Sequence, residues 1–460
     1  MKESRTPVRD FLEALDRHDY RLHGLAVIQN GQTVYMSTAA PYGPDTPHRL
    51  FSTAKSIYVL NFLFAFQEGL MKPEDRIAPL FPEYEITDPG LKEMTMDDLL
   101  TMRTGQTEDP FPLLFQDPDA DLVEAFFRVP VKDERPGLRF RYNNTVPSVI
   151  LAAVERATGV PTAEWQRRHY TEEMNAPLLA PVSGNGQYNP VITCASLRSV
   201  TEYARLFLKQ GEYGGRQLIR PELMARAVAD HLAPGKTDGG EGYGWQIWRN
   251  SWGGYRMDGG WGQMVLAVPE TASAVVFLSD MTDYSAATEA YRRHLLPVLQ
   301  RGEALDEAPP EVRSLAPEGN AAPAEELNHS RWRTEEGTTV ELSFDRERVT
   351  FRTEGPGGKR EWTVGLRGAF EANGGYTPRA FSIDYTVIGN DSGTILLSAA
   401  WTGPRAIRIT GKCLGEMGEH CCEMLFDPAL CRVSQTTECV HGIAERQMKE
   451  MREVRLWRVR

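Results

Sequence analysis

Ser52-Thr53-Ala54-Lys55 opens a long apolar stretch. A serine three residues ahead of a lysine on a helix brings hydroxyl and amine onto one face, one turn apart. There the amine can withdraw the hydroxyl proton, provided burial keeps it neutral part of the time. The stretch from Phe51 to Leu70 carries Ile57, Val59, Leu60, Phe62, Leu63, Phe64 and Phe66, is apolar nearly all round, and meets a stop signal at Gly69. Lys55 is therefore expected near the start of a buried helix. Ser52 would sit at its N-terminus, where backbone N–H groups favour developing negative charge. The plainer alternative is a capping Ser52 with Lys55 snorkelling to solvent. No other Ser-x-x-Lys occurs in the chain.

The only Tyr-x-Asn follows at Tyr142-Asn143-Asn144. A phenol beside a cationic amine has its phenolate favoured, so it can accept the serine proton or relay it to a leaving group. The Asn144 amide can hold both the lysine and a substrate carbonyl. The same residues also read as a polar turn into a helix from Val146 to Ala157, with Asn144 as its N-cap.

These motifs resemble those of the serine hydrolases related to class C β-lactamases, D-alanyl-D-alanine carboxypeptidases and family VIII esterases. The resemblance spans about the first 300 residues. His23 to Ile28 with Asn30-Gly31 is similar to the opening strand and hairpin of that fold. Thr95 to Gly105 (TMDDLLTMRTG) is similar to the family's T-x-x-D-L-L-x-M-x-x-G helix, and Glu155 with Thr158-Gly159 to its E-x-x-T-G. Leu197 to Gln210, ending at Gly211, is similar to a further family helix. The resemblance implies an α/β (α+β sandwich) domain, an antiparallel sheet flanked by helices. It also implies Ser52, Lys55 and Tyr142 as catalytic groups, with Asn144 on the substrate.

The family's third element, Lys-Thr-Gly or His-x-Gly on a strand, is altered here. Lys236-Thr237-Asp238-Gly239 reads as a surface loop. The better match is Met257-Asp258-Gly259, inside Tyr255 to Gln263 and ahead of apolar strands at Met264 to Val268 and Val275 to Leu278; the frame can slip to Asp258-Gly259-Gly260. The residue expected there is a cation that holds a substrate carboxylate. Met257 cannot do so, and Asp258 repels an anion. Arg256 is adjacent, but neighbouring strand residues point to opposite faces, so Arg256 should turn away if Met257 faces the site. Gly259 and Gly260 would let a substrate approach backbone N–H groups, giving an oxyanion hole with the Ser52 N–H. Gln263 is a candidate pocket-lining residue and Trp261 a candidate wall.

Composition bounds the alternatives. With 460 residues, 41% of them hydrophobic, two domains are expected. A formal net charge of −12 argues against nucleic acid or anionic membrane surfaces as partners. No apolar run reaches spanning length and the first twenty residues contain no apolar signal core, so a cytoplasmic protein with reduced cysteines is expected. Nucleophile-elbow, zinc-helix and phosphate-loop motifs are missing. The only Cys/His cluster, Cys413, His420, Cys421, Cys422, Cys431, Cys439 and His441, lacks a Cys-x-x-Cys pair, so neither metal nor cofactor is expected.

Three pieces follow: a hydrolase-like domain over 1–300, whose segment from Gly90 to Glu173 should roof the cleft with helices; an Ala/Pro/Glu-rich linker over 301–328; and a small all-β domain over 329–460. Short alternating runs mark the last, including Ala380 to Val387, and Ala444 to Arg460 reads as helical before a final strand. The expected function is a Ser-Lys-Tyr acyl-enzyme hydrolase of a small ester or amide, its partner a small-molecule or short-peptide substrate. A D-amino-acid peptidase or β-lactam hydrolase is the rival enzyme. A catalytically silent ligand-binding cleft, or a β domain acting as an interaction module, are the non-enzyme readings.

Overall fold

In the computed structural model, Asn30 and Gly31 both take positive φ (50° and 70°), the pairing a two-residue type I′ hairpin needs. They join strands Leu22–Gln29 and Gln32–Thr38. The structure describes residues 6–459 except 19, 21, 116, 118, 133–134, 181–187, 189–192, 233–240, 282–283, 306–308, 357, 375–394, 414–417 and 442–445. Lys236-Thr237-Asp238-Gly239 and the run from Ala380 to Val387 lie outside the described residues. The chain divides into two compact units, Met1–Ser37 with Pro44–Pro310, and Thr38–Gly43 with Glu311–Arg460.

The first unit is built on a six-stranded sheet. From Gln32–Thr38 at one edge it runs through Leu22–Gln29, Ser273–Ser279, Gln263–Val268 and Tyr255–Gly259 to the two-residue strand Trp248–Arg249 at the other. The middle strands are buried throughout, because helices cover both faces. Leu197–Leu208 and Thr53–Gln67 pack on one side, and Pro7–Asp16 with the segment from Ser285 to Arg301 on the other, where the Phe11 and Phe277 rings meet at 6.4 Å. The segment from Gly90 to Glu173 supplies Met96–Leu100, Leu122–Arg128 and Val146–Thr158. Met96–Leu100 opens on a capping box between Thr95 and Asp98. Val146–Thr158 ends at Gly159, whose φ of 69° is the left-handed conformation that stops a helix. Its N-cap is Thr145 rather than Asn144; the Asn143 carboxamide oxygen accepts from the Thr145 and Val146 N–H groups instead.

The second unit is a closed β-barrel. Strand Ser330–Thr334 pairs with Thr339–Phe344 on one side and with Arg446–Arg458 on the other, and Gly358–Gly365 meets Ile395–Gly403 in parallel at Gly365 and Ser398 to close the ring. Trp332, Leu342, Val349, Phe351, Trp401, Phe426 and Leu456 fill it. The expected helix near the end of the chain is instead the strand Arg446–Arg458. Pairing on both edges outweighs local charge there, and Leu456 alternates inward between exposed Arg455 and Trp457. The expected solvated linker is also partly fixed: Leu327 is fully buried in the barrel core, and Ala321 donates its N–H to the Trp401 carbonyl at 3.0 Å. Among the described residues no helix is long and apolar enough to cross a membrane, and no group of three or more His, Cys, Asp or Glu is placed to hold a metal ion.

Candidate active site

Phe51 carries the local strain that sets up the site. Its φ of 49° is a left-handed conformation an aromatic residue rarely adopts, and it turns the chain sharply into the helix Thr53–Gln67. Ser52 occupies the N-cap, with αR backbone angles, and is partly exposed. From Thr53 to Ala65 every residue of this helix is buried. Lys55 is only 2% exposed. Its Nζ donates to Ser52 Oγ at 2.7 Å and to Asn144 Oδ1 at 3.0 Å, and lies 5.0 Å from the centroid of the Tyr142 ring. The Ser52 side chain is near enough to the Tyr142 phenol to lower its pKa. One hydroxyl, one amine, one phenol and one amide, drawn from two segments nearly ninety residues apart, converge on a single point.

Burial sets the protonation of these groups. Loss of solvent pulls the Lys55 amine from its ordinary 10.5 down to about 7, with the Asp109 carboxylate opposing the shift. Burial also pushes the Tyr142 phenol well above its ordinary value, against the lowering effect of the Ser52 side chain, and the charge of Asp258 adds to the rise. At neutral pH the amine is thus the group that can be found without its proton, while the phenol keeps its own.

Two supporting residues carry no motif. Asp109 accepts from the Asn144 backbone N–H at 2.7 Å, from Asn144 Nδ2 at 3.2 Å and from Thr145 Oγ1 at 2.7 Å, which aims the Asn144 oxygen at Lys55. Its partners lie 35 and 36 residues along the chain, so only an Asp-Pro turn signal marked it. Trp248 stacks on Tyr142 with ring centroids 5.9 Å apart and planes at 18°, and meets Tyr243 edge-on.

The strand Tyr255–Gly259 brings the third element. Met257 is fully buried in the core, so Arg256 and Asp258 share the opposite face; the expectation that Met257 faces the site is corrected. Asp258, not Met257, is the residue of this strand whose charge acts on Tyr142. A Cβ on Gly259 would fall 2.4 Å from the Leu50 carbonyl oxygen and 3.0 Å from the Thr53 nitrogen, so only glycine lets this strand press against the start of the serine helix. Gly260 lies over Phe51, its virtual Cβ 3.8 Å from that ring. Gln263 does not line a pocket. It is fully buried beneath the turn, its Nε2 donating to the carbonyls of Gly260, Trp261 and Ser279 and its Oε1 accepting from the Ser279 N–H. The Thr53 hydroxyl donates to the Gln263 carbonyl at 2.6 Å, tying turn to helix.

Comparison with known proteins agrees with this fold. The Beta-lactamase family model matches residues 8–298. A solved family VIII carboxylesterase aligns at 16% identity with a TM-score of 0.53, covering 64% of this chain and 98% of its own. A penicillin-binding protein homologue from Caulobacter crescentus aligns at 18% identity and TM-score 0.52, over 63% and 97% of the two chains. The octameric penicillin-binding protein homologue from Pyrococcus abyssi, at 16% identity and TM-score 0.50, covers 97% of this chain and 98% of its own. These likenesses establish a shared fold. No curated protein matches the chain. A family match over most of the first unit, on a fold that sets Ser52 at the head of a buried helix, leads to one assignment: the chain belongs to the Beta-lactamase family of hydrolases.

Proposed function

We propose that this protein is a serine hydrolase of small esters or amides that works through an acyl-enzyme on Ser52. The observation that carries this reading is the 2.7 Å contact between Ser52 Oγ and a buried Lys55 Nζ, with the Tyr142 ring 5.0 Å from the same amine. Ser52 Oγ attacks the substrate carbonyl while its proton passes to neutral Lys55. The Ser52 N–H and an N–H of the Gly260-Trp261 turn face the developing oxyanion. As the tetrahedral intermediate collapses, the leaving alcohol or amine takes a proton delivered through Tyr142, and the phenol regains it from Lys55. Water then attacks the acyl-enzyme, giving a proton back through the same groups, and Ser52 is restored as the acid departs. Asn144, anchored by Asp109, holds the Lys55 amine and offers its amide to the substrate.

The test is an activity-based fluorophosphonate probe with a panel of p-nitrophenyl acetate, a D-Ala-D-Ala peptide and nitrocefin. Labelling and ester turnover that Ser52→Ala abolishes support the reading, whereas an unlabelled wild-type protein points to a silent binding cleft. Strong turnover of nitrocefin or the D-Ala-D-Ala peptide, both of which carry a carboxylate, would favour the β-lactam hydrolase or D-amino-acid peptidase reading over the carboxylate-free esters and amides proposed here. Tyr142→Phe is expected to lower kcat by roughly 10²-fold or more with KM little changed, the size of a lost general acid.

A further inference from the structure

Beside the reacting groups the strand Tyr255–Gly259 carries a carboxylate, Asp258, and the surrounding contacts say what it can attract. Arg256 lies on the same strand face as Asp258, and a guanidinium there could in principle hold a substrate carboxylate. Each of its three nitrogens already has a partner. Nε donates to Asp258 Oδ2 at 2.9 Å, Nη1 to Asn250 Oδ1 at 3.0 Å, and Nη2 lies 2.7 Å from Glu241 Oε2. The guanidinium carbon sits 5.2 Å from the Trp248 ring centroid, so one face is covered as well. This arginine is a strut that fixes Asp258 and Trp248.

Asp258 itself is held by Arg256 and Tyr284, which favour its charged form while burial raises its pKa, and these are two partners for a carboxylate that offers about four acceptor sites. It stands one residue ahead of the Gly259-Gly260 pair that runs past Ser52, and its charge is felt at the Tyr142 phenol. A second carboxylate, Asp109, lies behind Lys55. In the form that can take the serine proton, Lys55 is neutral and no longer balances Asp109. The site is then most negative when it is most reactive.

Resting on the hydrolase reading above, we propose that the substrates are amine-bearing: an ammonium group close to the scissile carbonyl binds Asp258, which acts as the specificity-determining residue. A positive charge brought there complements the reactive form of the site. It also disfavours a proton on Lys55, so binding primes the base. A carboxylate at the same place meets Asp258 and Asp109, and Arg256, the cation on the same strand face, is already bonded elsewhere.

The experiment uses the full-length protein and three p-nitroanilides of alanine, in both enantiomers, that differ only in charge: free amine, N-acetyl and N-succinyl. The readout is the ratio of kcat/KM values. Wild type is expected to prefer the free amine over the acetyl compound by tenfold or more, with the succinyl compound slowest, and to lose part of that preference in 0.5 M salt. Asp258→Asn should bring the amine-to-acetyl ratio to within about threefold of one, and Asp258→Glu should keep it well above that. An amine-to-acetyl ratio at or below one in wild type, or a ratio unchanged in Asp258→Asn, overturns the inference while Ser52-dependent turnover leaves the hydrolase assignment standing. Absence of Ser52-dependent turnover on every ester and anilide overturns both.

Discussion

A lysine pulled to about pH 7 by burial is the residue on which the chemistry turns, and it makes two measurable demands. Turnover should rise with pH through about 7 as Lys55 loses its proton, and a pH–rate profile of kcat/KM for a neutral ester checks this; a flat profile between pH 5.5 and 9 would remove Lys55 as the base. The second demand concerns stability. The unfolded chain holds this proton up to about 10.5 and the folded chain only to about 7, so stability climbs with pH between those values. At pH 7 and below, the folded protein forgoes on the order of 4 kcal/mol for keeping the amine buried. Lys55→Met should abolish turnover and yet stabilise the fold by roughly 1–3 kcal/mol, once the lost bonds to Ser52 and Asn144 are counted; the denaturation midpoint measures it. Ser52, Lys55, Tyr142 and Asn144 were legible because each motif is short and each pairs types that have a chemical reason to meet. Asp109 was not. A lone carboxylate has no pattern when its partners lie 35 residues away and only the fold makes them neighbours.

The strand Tyr255–Gly259 shows where element-scale reading succeeds and where it slips. Alternation was the right argument, but its phase was set by analogy with a cation at Met257. The residues themselves carried the answer: Tyr255 and Met257 are apolar and buried, while Arg256 and Asp258 are charged and only partly so, the in-out pattern of a strand with one face on the core. Gln263 misled for the same reason in reverse, since an amide next to a glycine turn looks available for substrate. Here it satisfies two carbonyls of the tight turn, Gly260 and Trp261, and the Ser279 carbonyl at the end of the neighbouring strand. Gly259 is the element's critical position. Gly259→Ala would drive a methyl into the backbone of Leu50 and Thr53, so the strand must retreat from the serine helix. We expect a loss of about 1–3 kcal/mol in stability and at least 100-fold in kcat, because the oxyanion donors move with the strand. Chemical denaturation and steady-state kinetics read the two effects separately, and intact kcat would show that the N–H groups of this turn do not serve the reaction.

At the scale of the whole molecule, the two units have separate cores, and this was visible in the shift from mixed helix and strand patterns to short alternating runs near residue 330. Closure of the second unit was not visible. It depends on Arg446–Arg458, whose charge density reads locally as a solvated helix and whose strand form is dictated by its neighbours on both sides. Deleting residues 446–460 should therefore collapse the barrel, seen as loss of near-ultraviolet dichroism from Trp332 and Trp401, while fluorophosphonate labelling of Ser52 persists. Loss of labelling in that variant would show that the hydrolase unit needs the barrel. The order of strands also has a consequence during synthesis. The piece that seals the ring is the last of its strands to leave the ribosome, so both Ser330–Thr334 and Leu430–His441 wait with a bare hydrogen-bonding edge until it arrives. A nascent chain stalled or clipped before that moment presents two adhesive seams to its neighbours, and the cell meets it as a nucleus for clumping even though its catalytic half is already made.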